Sequence, residues 1–137
     1  FERIVKPSVI KSMNRMVSKL TGITEEMLKD APLPEEIFPD FMKFIDGTVL
    51  VAHNADFDLS FIRREASKEE YEVRNKVMDT MVLSRTYVFG LVNNKLNTVA
   101  EHFGVVFRHH RALSDAYATA EIFIELMKIK AKKEENA

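Results

Sequence analysis

Residues Thr48 to Ala52 (TVLVA) form a continuous apolar, β-branched run bounded by Gly47 and Asn54. A run of that length, closed by turn residues, predicts a strand covered on both faces, and such strands belong to sheets flanked by helices. The rest of the chain supplies the helices. Pro34 suits the first turn of a helix running to about Ile45, in which Ile37, Phe38, Phe41, Phe44 and Ile45 recur at three and four and give one core face, ended by Gly47. Further helices are expected from about Ala55 to Glu70, from Thr80 to Tyr87, from Leu96 to Phe103 with Gly104 just beyond its end, and from Ala112 to about Lys130. Leu20 to Thr24 reads as a turn, with Thr24 capping a short helix through Leu28. A short strand falls near Val77-Met78, a weak alternation from Phe1 to Pro7 suggests another, and Val105 to Phe107 reads as a brief strand or a loop. Alternating strands and helices over residues 1–130 predict one α/β domain with a mixed sheet, and residues 131–137 (AKKEENA) a charged, frayed tail.

Composition removes several function classes. No apolar run approaches the roughly 20 residues needed to cross a bilayer, so no membrane partner is expected. The chain has no cysteine, which leaves carboxylates, histidines and carbonyls as the only metal donors and suits a reducing cytoplasm. Its formal net charge of −1 denies it a broad basic surface, so any nucleic acid would have to be gripped locally. The first residue is Phe1, with neither an initiator Met nor a charged-then-apolar leader, which suggests a piece of something longer.

The last helix holds the clearest chemical anomaly. At about 100° per residue, Ser114, Glu121, Glu125 and Lys128 share one wet arc, while nearly everything else is apolar or small. Asp115 falls inside the apolar arc. A carboxylate there needs a partner: a cation, a metal, or the amides and dipole of the helix start. His110 stands on the loop just before the same helix mouth. The segment His53-Asn54-Ala55-Asp56-Phe57-Asp58 repeats the pattern after the TVLVA strand. On the wheel Asp58 falls between Phe61 and Ile62 on the apolar side, and Asp56 falls on the wet side as a helix-start carboxylate. Ligands of open α/β sheets gather beyond strand ends, where this strand delivers Asn54 and Asp58. Two inward carboxylates and a loop histidine without thiols fit hard cations acting on phosphate, Mg²⁺ or Mn²⁺. Two carboxylates are few for a pair of divalent ions, so more acidic ligands are expected.

These residues carry a family resemblance. Val51 to Asp58 (VAHNADFD) resembles the second motif of the DnaQ-like 3′-to-5′ exonucleases, and His109 to Ala116 (HHRALSDA) their third, in its DEDDh form. Leu20 to Thr24 (LTGIT), Val77 to Thr80 (VMDT) and Lys95 to Val99 (KLNTV) match the intervening pattern in order. The paired His109-His110 ahead of Arg-Ala is most similar to the proofreading domains of PolC-type replicative polymerases, with standalone epsilon-type subunits close. The resemblance implies a ribonuclease H-like fold and a site that removes 3′-terminal nucleotides using two divalent cations.

By position in that family, Asp58 and Asp115 would hold metal and His110 would be the general base, a role that the ordinary imidazole pKa of about 6.5 suits. Asn54 and the turn Thr21, Gly22 and Ile23 would touch the terminal nucleotide. Phe57 and Phe61 would either face a base or, as the phenylalanines mostly do, pack in the core. Asp79 matches a family position read as structural, capping the helix that begins at Thr80. His53 is expected to pack or hydrogen-bond at the strand end, His109 to neighbour the site, and His102 to lie on a helix surface.

One motif is missing. The family's opening Asp-x-Glu, which supplies two of four carboxylates, has no counterpart; Glu2 is the only acidic residue among the first ten and has no Asp two positions before it. The resemblance therefore places that motif on strands upstream of Phe1 and leaves the 137-residue chain alone weak or inactive. The implied partners are a single-stranded or frayed 3′ end of DNA, with RNA open, and a replicative polymerase in cis or in trans. The competing readings are a non-catalytic module that binds a 3′ end or nucleotide on the same fold, and an unrelated phosphohydrolase using His53, His110 and Asp115.

Overall fold

A computed structural model describes residues 1–7, 15–108 and 110–136. Its contacts divide into two compact units, Phe1–Thr48 with Ser60–Asn75, and Val49–Leu59 with Lys76–Ala137. Among the described residues the elements in chain order are helices α1 (Arg15–Thr21), α2 (Glu25–Lys29) and α3 (Pro34–Ile45), strand β1 (Leu50–Ala52), helix α4 (Ala55–Lys68), strand β2 (Val77–Asp79), and helices α5 (Thr80–Tyr87), α6 (Leu96–Phe103) and α7 (Ala112–Glu135). No helix among them is long and apolar enough to cross a membrane.

The first unit is helical. Thr24 caps α2 as its sequence predicts, accepting from the Met27 N–H at 3.2 Å, with Glu25 and Glu26 in the first turn. Pro34 opens α3, where the Glu36 carboxylate accepts from the Leu33 N–H at 2.7 Å. Of the five apolar positions expected to form the α3 core face, Phe38 and Ile45 are buried, Ile37 and Phe41 are half-buried, and Phe44 is exposed. Phe44 instead meets the ring of Phe1, with centroids 5.4 Å apart. Phe1 to Pro7 pairs with no strand among the described residues; its backbone is tied by the Lys6 N–H donating to the Pro32 carbonyl at 2.8 Å. Helix α1 takes in Leu20 and Thr21, the first two residues of the segment expected as a turn, so the turn begins later, and the helix buries no residue.

The second unit carries the sheet. β1 and β2 are parallel, with Leu50 opposite Val77, Val51 opposite Met78 and Ala52 opposite Asp79. Parallel neighbours require a crossover, and α4 lies in that connection. Because β1 has one strand partner among the described residues, the TVLVA run is half-covered and not enclosed: Thr48 and Val49 are exposed, and Leu50, Val51 and Ala52 are half-buried. The core is Val88, Val99, Ala100, Ile122 and Leu126, built where α7 packs on α5 and α6 and touches β1. Gly104 takes the left-handed conformation at φ 70° and ends α6, as expected of a residue just past a helix C-terminus. Helix α7 differs from its wheel. Its buried positions are Ala118, Thr119, Ile122 and Leu126, a stripe at three and four, while Tyr117 and Ile124 are exposed. It also continues through Ala131–Glu135, beyond the end expected near Lys130.

Candidate active site

Strand β1 ends at Ala52 and hands over to His53, whose ring is engaged at both nitrogens. Nδ1 lies 2.9 Å from the Thr80 hydroxyl and Nε2 lies 2.8 Å from the Asn94 carbonyl. A carbonyl only accepts, so Nε2 carries a proton, and in the neutral ring the Thr80 O–H donates to Nδ1 in preference to the Ala52 carbonyl at 3.3 Å. Burial pushes the His53 pKa below its ordinary value; the Arg85 charge acts the same way, while the Asn94 carbonyl and Asp79 oppose it. The expected strand-end role is thus met. With no ring nitrogen free, the arrangement disfavours His53 as a metal ligand.

Asp79 does more than its sequence suggests. It caps α5 by accepting from the Met81 N–H at 2.8 Å, as expected, and it also accepts from the N–H groups of Asn54 at 3.0 Å and Ala55 at 2.9 Å. Burial alone would raise its pKa, but the backbone N–H groups of Ala55, Asn54, Met81 and Val82 outweigh that and hold it below the usual carboxylate value. Asn54, whose chain turns from β1 into α4, sits at φ 66°. Beneath this turn the buried Thr80 and Ser84 complete a polar cluster, Ser84 donating to the Asn94 side chain. Thr80, Ser84 and Asn94 were not singled out by their sequence. Their only signal is indirect: a histidine half-buried at a strand end needs partners for two nitrogens.

Asp58 stands in the first turn of α4. The wheel's inward placement is corrected here: Asp58 is exposed, and its neighbours Phe57 and Phe61 are 61% and 46% exposed. The side of α4 that is buried carries Ala55, Leu59 and Ala66, so the two phenylalanines are not core residues. The expectation that they pack failed because their size suggested a core face that the smaller residues occupy. Although exposed by surface area, Asp58 has a raised pKa: first through desolvation by neighbouring protein and then through the Asp79 charge, against its own backbone N–H.

On the opposite motif, Asp115 lies in the first turn of α7 and is half-buried, as its place in the apolar arc predicts. Its N–H donates to the Arg111 carbonyl at 2.8 Å, and its own carbonyl accepts from the Thr119 hydroxyl at 2.8 Å. The Ser114 hydroxyl accepts from the Arg108 N–H at 2.9 Å and ties the loop to the helix start. His110 is exposed on that loop at φ 69°. His109 lies outside the described residues, and His102 is exposed on α6 as expected.

The second unit therefore holds Asn54, Phe57, Asp58, His110 and Asp115, while Thr21, Gly22, Ile23 and Phe61 belong to the first. The Thr21–Ile23 turn is shaped locally. Gly22 is at φ 72°, the Thr21 hydroxyl donates to the Val17 carbonyl at 2.8 Å and accepts from the Ile23 N–H at 3.2 Å, and Ser18 donates to the Ile23 carbonyl at 2.7 Å. Among the described residues no three His, Asp or Glu side chains converge closely enough to hold a metal ion. Asp58 and Asp115 are oxygen donors of the kind a hard cation takes, and they fit part of such a ligand set.

The His53 environment makes stability pH-dependent. Its folded pKa lies below the unfolded value of about 6.5, so the unfolded chain binds the proton first as pH falls. Stability is full above that value and is expected to decline below it, by no more than about 1.4 kcal/mol per pH unit from this group. Urea denaturation at pH 7.5, 6.5 and 5.5 tests this: His53→Gln should flatten the dependence, and an equally steep fall in the variant would refute the assignment.

A family model described as exonuclease (RNase T) matches residues 1–123. The chain is similar to the PolC-type DNA polymerase III of Caldanaerobacter subterraneus subsp. tengcongensis, 52% identical over 128 residues, which cover 93% of this chain and 9% of that polymerase. It is also similar to the PolC-type enzyme of Clostridium perfringens, 42% identical over 89% of this chain and 8% of the polymerase, and to that of Bacillus subtilis, 36% identical over 97% and 9%. It thus spans about a tenth of the length of these curated relatives. A solved structure, exonuclease X in complex with 5′ overhanging duplex DNA, superposes with a TM-score of 0.69 at 26% identity, covering 91% of this chain and 70% of that one.

Proposed function

The chain belongs to the exonuclease (RNase T) family as a DnaQ-like, ribonuclease H-like domain related to PolC-type DNA polymerase III, and from that premise we propose that it serves as a 3′-to-5′ proofreading exonuclease. The observation that carries the reading is the family match over residues 1–123, which takes in Asn54, Asp58, His110 and Asp115 together. Its partner is a single-stranded or frayed 3′ end of DNA, presented by a replicative polymerase in cis or in trans in the cytoplasm.

In this reading Asn54 holds the terminal nucleotide with Phe57 against its base, a use that the exposure of Phe57 supports, and the nucleotide-contacting residues proposed within the first unit are the Thr21–Ile23 turn and the exposed Phe61. His110 accepts a proton from the attacking water, whose oxygen bonds to the terminal phosphorus as the bond from that phosphorus to the 3′ oxygen of the preceding nucleotide breaks; the 3′ oxygen takes a proton from solvent, and a nucleoside 5′-monophosphate is released. Asp58 and Asp115 are the oxygen ligands that this chain contributes. Two Mg²⁺ or Mn²⁺ ions, held by these carboxylates together with further acidic ligands of the Asp-x-Glu kind, would supply charge stabilisation at the phosphate and at the leaving oxygen. No Asp-x-Glu occurs among the 137 residues, so by themselves they are expected to hydrolyse DNA weakly or not at all.

The test supplies an Asp-x-Glu strand ahead of Phe1 and follows 5′-labelled single-stranded DNA with Mg²⁺. Stepwise shortening from the 3′ end with release of 5′-monophosphates is expected. Binding of the 3′ end without shortening would overturn the catalytic reading in favour of a binding module. An RNA oligonucleotide run in parallel measures sugar preference.

A further inference from the structure

Capping α5 requires one oxygen, and a serine or threonine hydroxyl accepts that bond as well as a carboxylate does. Asp79 nevertheless has both oxygens engaged. Oδ1 accepts from the N–H groups of Met81 at 2.8 Å and Asn54 at 3.0 Å, and Oδ2 accepts from that of Ala55 at 2.9 Å. The register explains the reach: Asp79 lies opposite Ala52, two residues ahead of Asn54. Asn54 occupies the left-handed region at φ 66°, which a residue with a Cβ holds only where its surroundings fix it, although asparagine tolerates it better than most. On one side of Asn54 the His53 ring is anchored at both nitrogens. On the other side α4 begins, and nothing in an α5 cap alone accounts for the bonds made there. Bonds from N–H groups to a charged oxygen are about twice as strong as neutral ones, and the carboxylate faces the positive ends of α4 and α5 together.

We infer that Asp79 is a positioning residue for the 3′-end site: its carboxylate holds the N–H groups of Asn54 and Ala55 and thereby sets the left-handed Asn54 and the first turn of the helix that bears Asp58. The inference rests on the reading of Asn54 and Asp58 as site residues. It assigns Asp79 no contact with substrate or cation.

Asp79→Ser separates the two roles, because its hydroxyl still caps α5 but cannot span Asn54 and Ala55. Two measurements on the chain, both in EDTA, read the result. One is amide hydrogen exchange by NMR at Asn54, Ala55 and along α5; the other is binding of a short single-stranded DNA with a free 3′-hydroxyl against the same strand blocked by a 3′-phosphate. Protection along α5 is expected to stay within about twofold, while Asn54 and Ala55 exchange roughly tenfold faster or more. Binding of the free 3′ end is expected to weaken several-fold, with the blocked strand unaffected. Unchanged exchange at Asn54 and Ala55 would overturn the inference, as would faster exchange with unaltered 3′-end binding. Equal loss of protection throughout α5 would reduce Asp79 to a cap and also overturn it. If Asp79→Ser does not fold, Asp79→Asn, which keeps the shape and removes the charge, is read by the same criteria. An unsubstituted chain that binds both strands alike would fail the proposed function, and with it the site role; the exchange data then report separately whether Asp79 orders the turn.

Discussion

His110→Ala is expected to lower the release of 3′-terminal nucleotides by about 10²–10⁴-fold, the usual worth of a positioned general base, when assayed on the chain extended by an Asp-x-Glu strand. The residue stands exposed on the loop that enters α7, five positions ahead of the half-buried Asp115, so its removal should leave the fold intact. Binding of the 3′ end should therefore survive while turnover falls, a loss in kcat more than in KM. Asp115→Ala, assayed beside it, should also abolish Mg²⁺-dependent shortening. A His110→Ala enzyme that degrades DNA at the unsubstituted rate would remove this residue from the chemistry.

The second large effect concerns stability. Ile122 and Leu126 are both 0% exposed at the centre of the cluster formed with Val88, Val99 and Ala100. Truncating either to Ala removes buried methylenes and leaves a cavity that α7, held by α5 and α6, cannot close. A loss of about 2–5 kcal/mol is expected in urea denaturation, a large share of the roughly 5–15 kcal/mol typical of a domain. Tyr117→Ala and Ile124→Ala on the exposed side of the same helix should cost far less. A Leu126→Ala loss below about 1 kcal/mol would contradict the packing described.

Local chemistry made much of the fold legible. Thr24 and Asp79 as caps, Gly104 as a terminator, and the bounds of α5 and α6 follow from hydrogen-bonding and φ preferences that act within a few residues. What depends on partners was less legible. The TVLVA run predicts a covered strand, but how far a strand is covered depends on what lies beside it, and β1 has one neighbour among the described residues. The helical wheel sorted Asp115 correctly and misplaced Asp58, Phe57 and Phe61, because it ranks a face by hydrophobicity, whereas α4 buries the small Ala55 and Ala66 with Leu59. The candidate site is expected first from the wheels, which set Asp58 and Asp115 inward with His110 on the loop before α7, and then from the ordered motifs; of the two carboxylates, Asp115 is half-buried and Asp58 exposed.

The pairing of Ala52 with Asp79 also bears on how the sheet chooses its alignment. Side chains alternate faces along a strand, so sliding β2 by one residue would turn the Asp79 carboxylate to the opposite face. The N–H groups of Asn54, Ala55 and Met81 would lose their acceptor in the same step. Among the described residues the sheet has two strands of three residues each, and the Asp79 bonds act together with those of His53 to Thr80 and of the Asn75 amide to the Ile45 and Thr48 carbonyls in holding this alignment. One side chain thus makes the error cost three backbone bonds together, and the alignment is discriminated at the turn that carries Asn54.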